Sequence, residues 1–210
     1  MGPMIPALVL AAGRSSRMGR AKATLPVDDH DTFLSRIVRT FVTAGIDDVV
    51  VVLGHDASVV AESLTDSLLP ARFALNREYD RGQLSSIRTG LAVIDRPGVT
   101  AVLLTLVDVP LFSASTVRAI VARFREGGAP VVRPVSNGRH GHPILLARSL
   151  FDLVRSTGDE AGLKPIVRTH ASAAGDVEVV DEGAFVDIDT AEEYRRVIGL
   201  SLADARGLNS

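Results

Sequence analysis

Residues 11–22 read A-A-G-R-S-S-R-M-G-R-A-K and hold two glycines, two serines and the four cations Arg14, Arg17, Arg20 and Lys22. No acidic residue occurs before Asp28. Such a loop suits a small anion: glycine lets backbone N–H groups approach phosphate oxygens, Arg17 offers a planar fork and Lys22 a point charge. A solvated arginine-rich turn is the plainer alternative, but it gives no reason for the loop to follow directly on an apolar run, residues 7–11. The loop is neither of two familiar phosphate loops. Five residues separate Gly13 from Gly19, with Arg20 and Ala21 before Lys22, so the Walker spacing fails. No third glycine completes a dinucleotide fingerprint.

Carboxylates supply the complementary chemistry. Asp108 is the first charge after the apolar stretch 101–107, and Val109-Pro110 keeps the chain extended beyond it. A hard cation such as Mg²⁺ takes carboxylate and phosphate oxygens together, which is the role expected of Asp108. Capping of a helix is the competing role, although the next helix is expected to begin only near Ser113. Asp189 precedes Thr190 and is either a second metal ligand or a helix cap; Asp187, two residues earlier on the same face of an extended segment, is the other candidate. His140 and His142 share a face if extended, yet two histidines without a third ligand fall short of a transition-metal site. Ser15, Ser16, Ser85 and Ser86 lack the G-x-S-x-G elbow of a hydrolase. His30, His55 and His170 lie in polar contexts and read as solvated.

These groups need a scaffold. Residues 7–11, 49–53 and 101–104 are unbroken apolar runs, the pattern of parallel strands covered on both faces. Between them, Leu34, Ile37, Val38 and Phe41 keep helical spacing, with Asp31 as cap and Gly45 as stop. Val117, Ile120, Val121 and Phe124 repeat it behind Ser113 and end at Gly127-Gly128. Leu84, Ile87, Leu91 and Ile94 form a third such set despite the internal Gly90, and residues 58–68 a fourth helix. Beyond Gly127, strands are expected at 130–133 and 143–146, helices near 149–155 and 162–169, strands near 177–180 and 184–188, and a helix from Thr190. The expected fold is α/β: a Rossmann-like, doubly wound, mostly parallel sheet with helices on both faces and a small acceptor-side β subregion. Residues 1–210 read as one domain, with a nucleotide-binding half at about 5–126 and an acceptor-side half at about 127–200.

Composition narrows the partners. The 210 residues carry a net charge of −2, so no overall field draws the chain to nucleic acid or to anionic membranes. It contains no cysteine, which excludes disulfides, thiolate catalysis and Cys-ligated zinc. No apolar run approaches a membrane span and no signal-peptide layout opens the chain, so a cytoplasmic location is the expectation.

The stretch L-A-A-G-R-S-S-R-M-G-R-A-K at residues 10–22 resembles the L-A-A-G-x-S-x-R-M-G-x-x-K signature of the nucleotidyltransferase superfamily. Within it, the chain is most similar to the molybdenum cofactor cytidylyltransferases, over nearly its whole length. Gly82-Gln83-Leu84-Ser85-Ser86 resembles their base-approaching segment, and Asp108-Val109-Pro110 their D-x-P metal motif. The stretch G-R-H-G-H-P at residues 138–143 resembles their G-x-x-G-H-P element, and D-I-D-T at 187–190 their D-[IV]-D-T element. One element departs: the family's G-D-x-G-x-[RK] appears as G-D-E-A-G-L-K at 158–164, one residue longer between Asp and Gly. The resemblance implies transfer of a nucleoside monophosphate from an NTP, CTP first, to a phosphorylated small-molecule acceptor such as molybdopterin cofactor, with Mg²⁺ as cofactor. It implies catalytic roles for Arg17, Lys22 and Asp108, and metal ligation by Asp108 and Asp189. The nucleotide would be bound by Leu10, Ala11, Ala12, Gly13, Ser15, Arg17, Lys22, Gly82, Ser85 and Ser86. The acceptor would be bound by His140, His142, Asp159 and Lys164, and a molybdoenzyme or its chaperone would be the protein partner. An acceptor phosphate already ionised near pH 7 needs no general base. The rivals are a guanylyltransferase, another acceptor, a silent nucleotide-binding accessory protein, and an oxidoreductase, which the missing glycine fingerprint disfavours.

Overall fold

The computed structural model describes residues 3–15, 17–65 and 69–199. The three apolar runs form the heart of its sheet. β1 (Ala7–Ala11) lies between β2 (Val49–Leu53) and β4 (Ala101–Leu106), parallel to both, with Val9 opposite Val51 and Thr105. All but the last residue of these strands are buried, because helices cover both faces of the sheet. On one face Val9, Val51 and Leu103 meet Ile37 and Phe41 of α1 (Phe33–Thr43) and Ile120 of α4 (Ala114–Gly127). On the other, Leu8, Val50 and Leu104 meet Leu84 and Ile87 of α3 (Gln83–Ile94), Phe151 of α5 (Phe151–Ser156) and Ile166 of α6 (Lys164–His170).

The remaining strands extend the sheet to the order β3-β2-β1-β4-β7-β5-β6, with β8 paired to β5. β3 (Arg72–Leu75) runs parallel to β2 at the edge; only Ala74 of its four residues is buried, so no apolar run announces it. β7 (Ile144–Ala147) is antiparallel to both β4 and β5 (Val131–Ser136). β6 (Arg139–His140) and β8 (Asp176–Glu178) complete the smaller β region. The structure is thus the expected α/β arrangement, mostly parallel with helices on both faces. Among the described residues α2 (Ala57–Thr65) and α7 (Ala191–Ile198) are the other α-helices; the end of the expected 58–68 helix lies outside them.

One local expectation is explained and two are corrected. α3 runs unbroken through Gly90. A Cβ there would come within 2.2 Å of Leu8 Cδ1, so the glycine lets the helix lie directly on β1. The segment expected as a strand at 184–188 begins as a short 3-10 helix, Glu182–Phe185, and only then extends. Finally, Thr32 rather than Asp31 caps α1: its side chain accepts from Ser35 N at 3.2 Å, and Ser35 Oγ accepts from Thr32 N at 2.8 Å.

Asp31 instead gathers charges from the first turns of α1. Its carboxylate, 6% exposed, accepts from Ser35 Oγ at 2.9 Å, Arg36 Nε at 3.0 Å and Arg39 Nη2 at 3.1 Å. Burial alone would raise its pKa, but the bonds from Arg39, Ser35 and Arg36 outweigh it and hold the group below its ordinary value. Its stabilising contribution is therefore complete above the unfolded value of about 3.9 and is lost as pH falls through the lower folded value. Asp31→Asn should cost about 1–3 kcal/mol at pH 7. The gap from wild type should close as pH approaches 3 in paired denaturant melts; a gap independent of pH would show that the charge does not matter.

Candidate active site

The loop after β1 folds on itself before it reaches its lysine. Ser15 sits at φ +48°, its carbonyl accepts from Met18 N at 2.9 Å, and its hydroxyl accepts from Lys22 N at 3.1 Å. Met18 is buried with Leu25, Phe33, Ile188 and Tyr194, which anchors the loop to the chain's late segment. Ser16 lies outside the described residues. The backbone is thereby drawn back so that the Lys22 side chain points beneath the loop, only 9% of the residue being exposed.

There Lys22 Nζ meets two carboxylates from distant parts of the chain, Asp108 Oδ2 at 3.1 Å and Asp189 Oδ1 at 2.5 Å. Asp108 leaves β4 on the neighbouring strand. Ile188 N donates to the Asp108 carbonyl at 2.9 Å, holding the 187–189 segment against it. Neither aspartate caps a helix. Ser113 caps α4 through Thr116 N at 3.3 Å, and Thr190 caps α7 with Glu193 in a reciprocal box. Asp189 is thus free to reach Lys22, whose hydrogen bond and charge lower its pKa. Arg17 Nη1 lies 3.6 Å from its other oxygen. Asp187 stays exposed; loss of water around its carboxyl and the charge of Asp108 push its pKa up.

Above this triad lies a cavity of about 310 Å³ lined by Leu10, Ala11, Ala12, Gly13, Ser15, Lys22, Gly82, Ser86 and Asp108, all singled out by the sequence. An adjoining hollow of about 150 Å³ is bounded by Ser15, Arg17, Lys22 and Asp189. Ser85 stands behind the wall: its hydroxyl donates to the carbonyls of Gly82 at 2.8 Å and Glu78 at 3.0 Å and accepts from Asn76 Nδ2 at 2.8 Å. Gln83 and Val107, neighbours of those residues in the same motifs, also line the cavity, and Tyr79 adds a wall that the sequence did not reveal. Gly54 brings Tyr79 in, because a Cβ there would come within 2.7 Å of the Ala12 carbonyl oxygen and 2.8 Å of the Tyr79 ring. Not all loop cations converge. Arg14 turns to Asp80 with two hydrogen bonds, of 2.9 and 2.7 Å, and lies over the Tyr79 ring at 5.8 Å. His55, expected to be solvated, also touches this rim, Nδ1 lying 3.4 Å from the Tyr79 hydroxyl.

The four acceptor-side residues of the sequence meet different partners. His142 lies close enough to Asp187 and Asp108 to feel their charge, while burial lowers its pKa and leaves the imidazole neutral at pH 7. His140 is exposed on β6, 3.8 Å from Asp176. Asp159 is taken by guanidinium groups: Arg81 Nε donates to Oδ2 at 2.8 Å, and Arg88 Nη1 to Oδ1. Lys164 opens α6 exposed to solvent.

The donor set fits a hard divalent cation. Asp108 Oδ1 is buried without a hydrogen-bond donor among the described residues, and both carboxylates present oxygen ligands. Among the described residues no group of three or more potential ligands gathers, so such an ion must draw its other ligands from phosphate and water. Among them, too, no helix is long and apolar enough to cross a membrane.

Several known proteins are similar to this chain. The model of the MobA-like NTP transferase domain family matches residues 7–174. Nicotine blue oxidoreductase of Paenarthrobacter nicotinovorans is 30% identical over 203 residues, covering 93% of this chain and 97% of that protein. The molybdenum cofactor cytidylyltransferase of Escherichia coli (strain K12) is 25% identical over 192 residues, 90% of this chain and 93% of that one. The crystal structure of Rv0371c from Mycobacterium tuberculosis H37Rv superposes with a TM-score of 0.80 at 28% identity, covering 95% of this chain and all of that one.

Crowding at Gly54 makes the cavity wall testable. Gly54→Ala should push Tyr79 and the Ala12 carbonyl apart and weaken binding of a nucleoside triphosphate at least tenfold by calorimetry. Unchanged affinity in a variant of normal circular dichroism would detach Tyr79 from the ligand.

Proposed function

Since the chain belongs to the MobA-like NTP transferase domain family, we propose that it moves a nucleoside monophosphate from an NTP, preferentially CTP, to a phosphate-bearing acceptor of the molybdopterin type, releasing pyrophosphate. One observation carries the reading: Lys22 bridges Asp108 and Asp189 directly beneath a cavity walled by the glycine-serine loop. That arrangement sets a cation and two carboxylates where a triphosphate and its metal would meet.

In this mechanism the loop holds the triphosphate, its backbone N–H groups and Ser15 facing the phosphate oxygens. Lys22 and Arg17 neutralise charge that builds on the α-phosphate and the leaving pyrophosphate. Asp108 and Asp189 would hold Mg²⁺, which when bound polarises the phosphate and screens the leaving group. Gly82 and Ser86 border the space left for the base. The acceptor phosphate attacks already ionised, so the chain supplies orientation rather than a base, with the neutral imidazole of His142 on the acceptor side. Asp159, His140 and Lys164 remain candidates for acceptor contacts, Asp159 only if its arginine partners release it. A molybdoenzyme or its chaperone would then receive the product, and such an enzyme would work in the cytoplasm.

The preference for CTP rests on the cytidylyltransferase relative and on the segment 82–86. Thermal melts with each of the four NTPs and Mg²⁺ test it: CTP should give the largest shift, about 2.7 kcal/mol at 100 times its Kd. A larger shift with GTP would move the chain to guanylyl transfer. A second reading has its own support, the 30% identity to a protein named nicotine blue oxidoreductase. It predicts hydride transfer from a reduced nicotinamide cofactor to an added electron-accepting dye, followed as loss of the cofactor's absorbance, with no pyrophosphate formed from any NTP.

Asp108→Asn preserves shape and removes charge. It should raise the Mg²⁺ concentration needed for turnover and lower kcat on the order of 100-fold, with a lower melting temperature because Lys22 loses one of its two counter-charges. Normal turnover at low Mg²⁺ would remove Asp108 from the mechanism.

A further inference from the structure

The lysine and the metal are assigned to the same two carboxylates, and that overlap has consequences. Lys22 Nζ spends two of its three N–H donors on Asp108 Oδ2 and Asp189 Oδ1, at 3.1 and 2.5 Å. A divalent ion ligated by both oxygens would sit within contact distance of the ammonium, and two cations cannot share that space in a half-buried site. We propose that Lys22 is the resident cation of the Asp108–Asp189 pair in the free protein and yields it only when a triphosphate takes the ammonium, so that metal and nucleotide enter together. The inference rests on the nucleotidyltransferase reading and adds an order of assembly to it.

Three features of the site support the exchange. First, Lys22 borders both the main cavity and the adjoining hollow, so a phosphate chain lying across them passes its ammonium. Its backbone is pinned by Ser15 Oγ at 3.1 Å, which leaves the flexible four-carbon stem as the moving part. Second, the lysine satisfies only one oxygen of Asp108; Oδ1 stays buried and undonated among the described residues, a ligand position the ammonium does not use. Third, no group of three or more metal-binding side chains gathers among the described residues. Two carboxylates alone do not displace a buried lysine, whereas phosphate oxygens both complete the ion's shell and give the ammonium a new partner. The surrounding charges fit this balance: Asp108, Asp187 and Asp189 face Lys22 and Arg17, while His142 is neutral. Removal of the lysine from the pair thus leaves an excess of negative charge that a divalent ion can fill.

The probe is Mn²⁺, its protein-bound fraction followed by electron paramagnetic resonance after subtraction of the Mn²⁺ chelated by the analogue alone, titrated into the full chain with and without the α,β-methylene analogue of CTP. Wild-type protein alone should bind Mn²⁺ weakly, and the analogue should tighten it at least tenfold; by linkage Mn²⁺ tightens the analogue by the same factor. Lys22→Gln without nucleotide should bind Mn²⁺ at least tenfold more tightly than wild type does. If Lys22→Gln and wild type bind Mn²⁺ equally while the analogue still tightens wild type, the exchange is overturned and the nucleotidyltransferase reading stands. If the analogue leaves Mn²⁺ affinity unchanged in wild type, the reading itself falls and the exchange with it. Should Lys22→Gln melt too early for titration, Mn²⁺ should raise its melting temperature more than that of wild type; equal shifts overturn the proposal.

Discussion

A buried ammonium held by two carboxylates is the constraint around which this chain is organised. The three residues come from positions 22, 108 and 189, and burying any of the charges alone would be costly. Pairing one partner without the other would leave an uncompensated group in a half-dry pocket. The sheet solves the problem by placing β1 beside β4, so that Lys22 and Asp108 leave adjacent strands from the same edge. The third member is delivered by one backbone bond, Ile188 N to the Asp108 carbonyl, and by a helix cap that leaves Asp189 unclaimed.

That cap explains why the sequence could not choose among roles for Asp189. The string D-T-A-E-E contains two ways to start a helix, and only the backbone shows that Thr190 and Glu193 form the box. The same limit applied to Asp31, where Thr32 takes the cap and the aspartate takes arginines. Local spacing shows that a cap is near; which neighbour provides it depends on contacts far away in the chain. The central strands were legible because helices on both faces demand unbroken apolar runs, whereas edge strand β3 buries one residue and carries Arg72 toward Asp48.

The cavity shows a similar division. The residues on its loop were legible because glycine, serine and lysine after a buried strand have few other uses. Tyr79 was not, since it enters the wall through tertiary crowding at Gly54 and through the Arg14–Asp80 pair over its ring. Asp159 has partners that the motif resemblance did not show: Arg81, just before α3, and Arg88 within it bind its carboxylate and tie α3 to the segment after α5.

The distance of Asp189 along the chain has a consequence for synthesis. As the polypeptide emerges from the ribosome, β1, β2 and β4 can pair once residue 106 is free, and Lys22 and Asp108 can meet soon after. For the next eighty or so residues of translation the lysine has one counter-charge and the loop lacks the floor that Ile188 and Tyr194 give Met18. The nascent chain therefore builds its sheet, from the four strands before residue 108 to the last at Asp176–Glu178, around an unfinished site. Nucleotide affinity should appear late and abruptly, when the last helix docks, and not grow with the sheet.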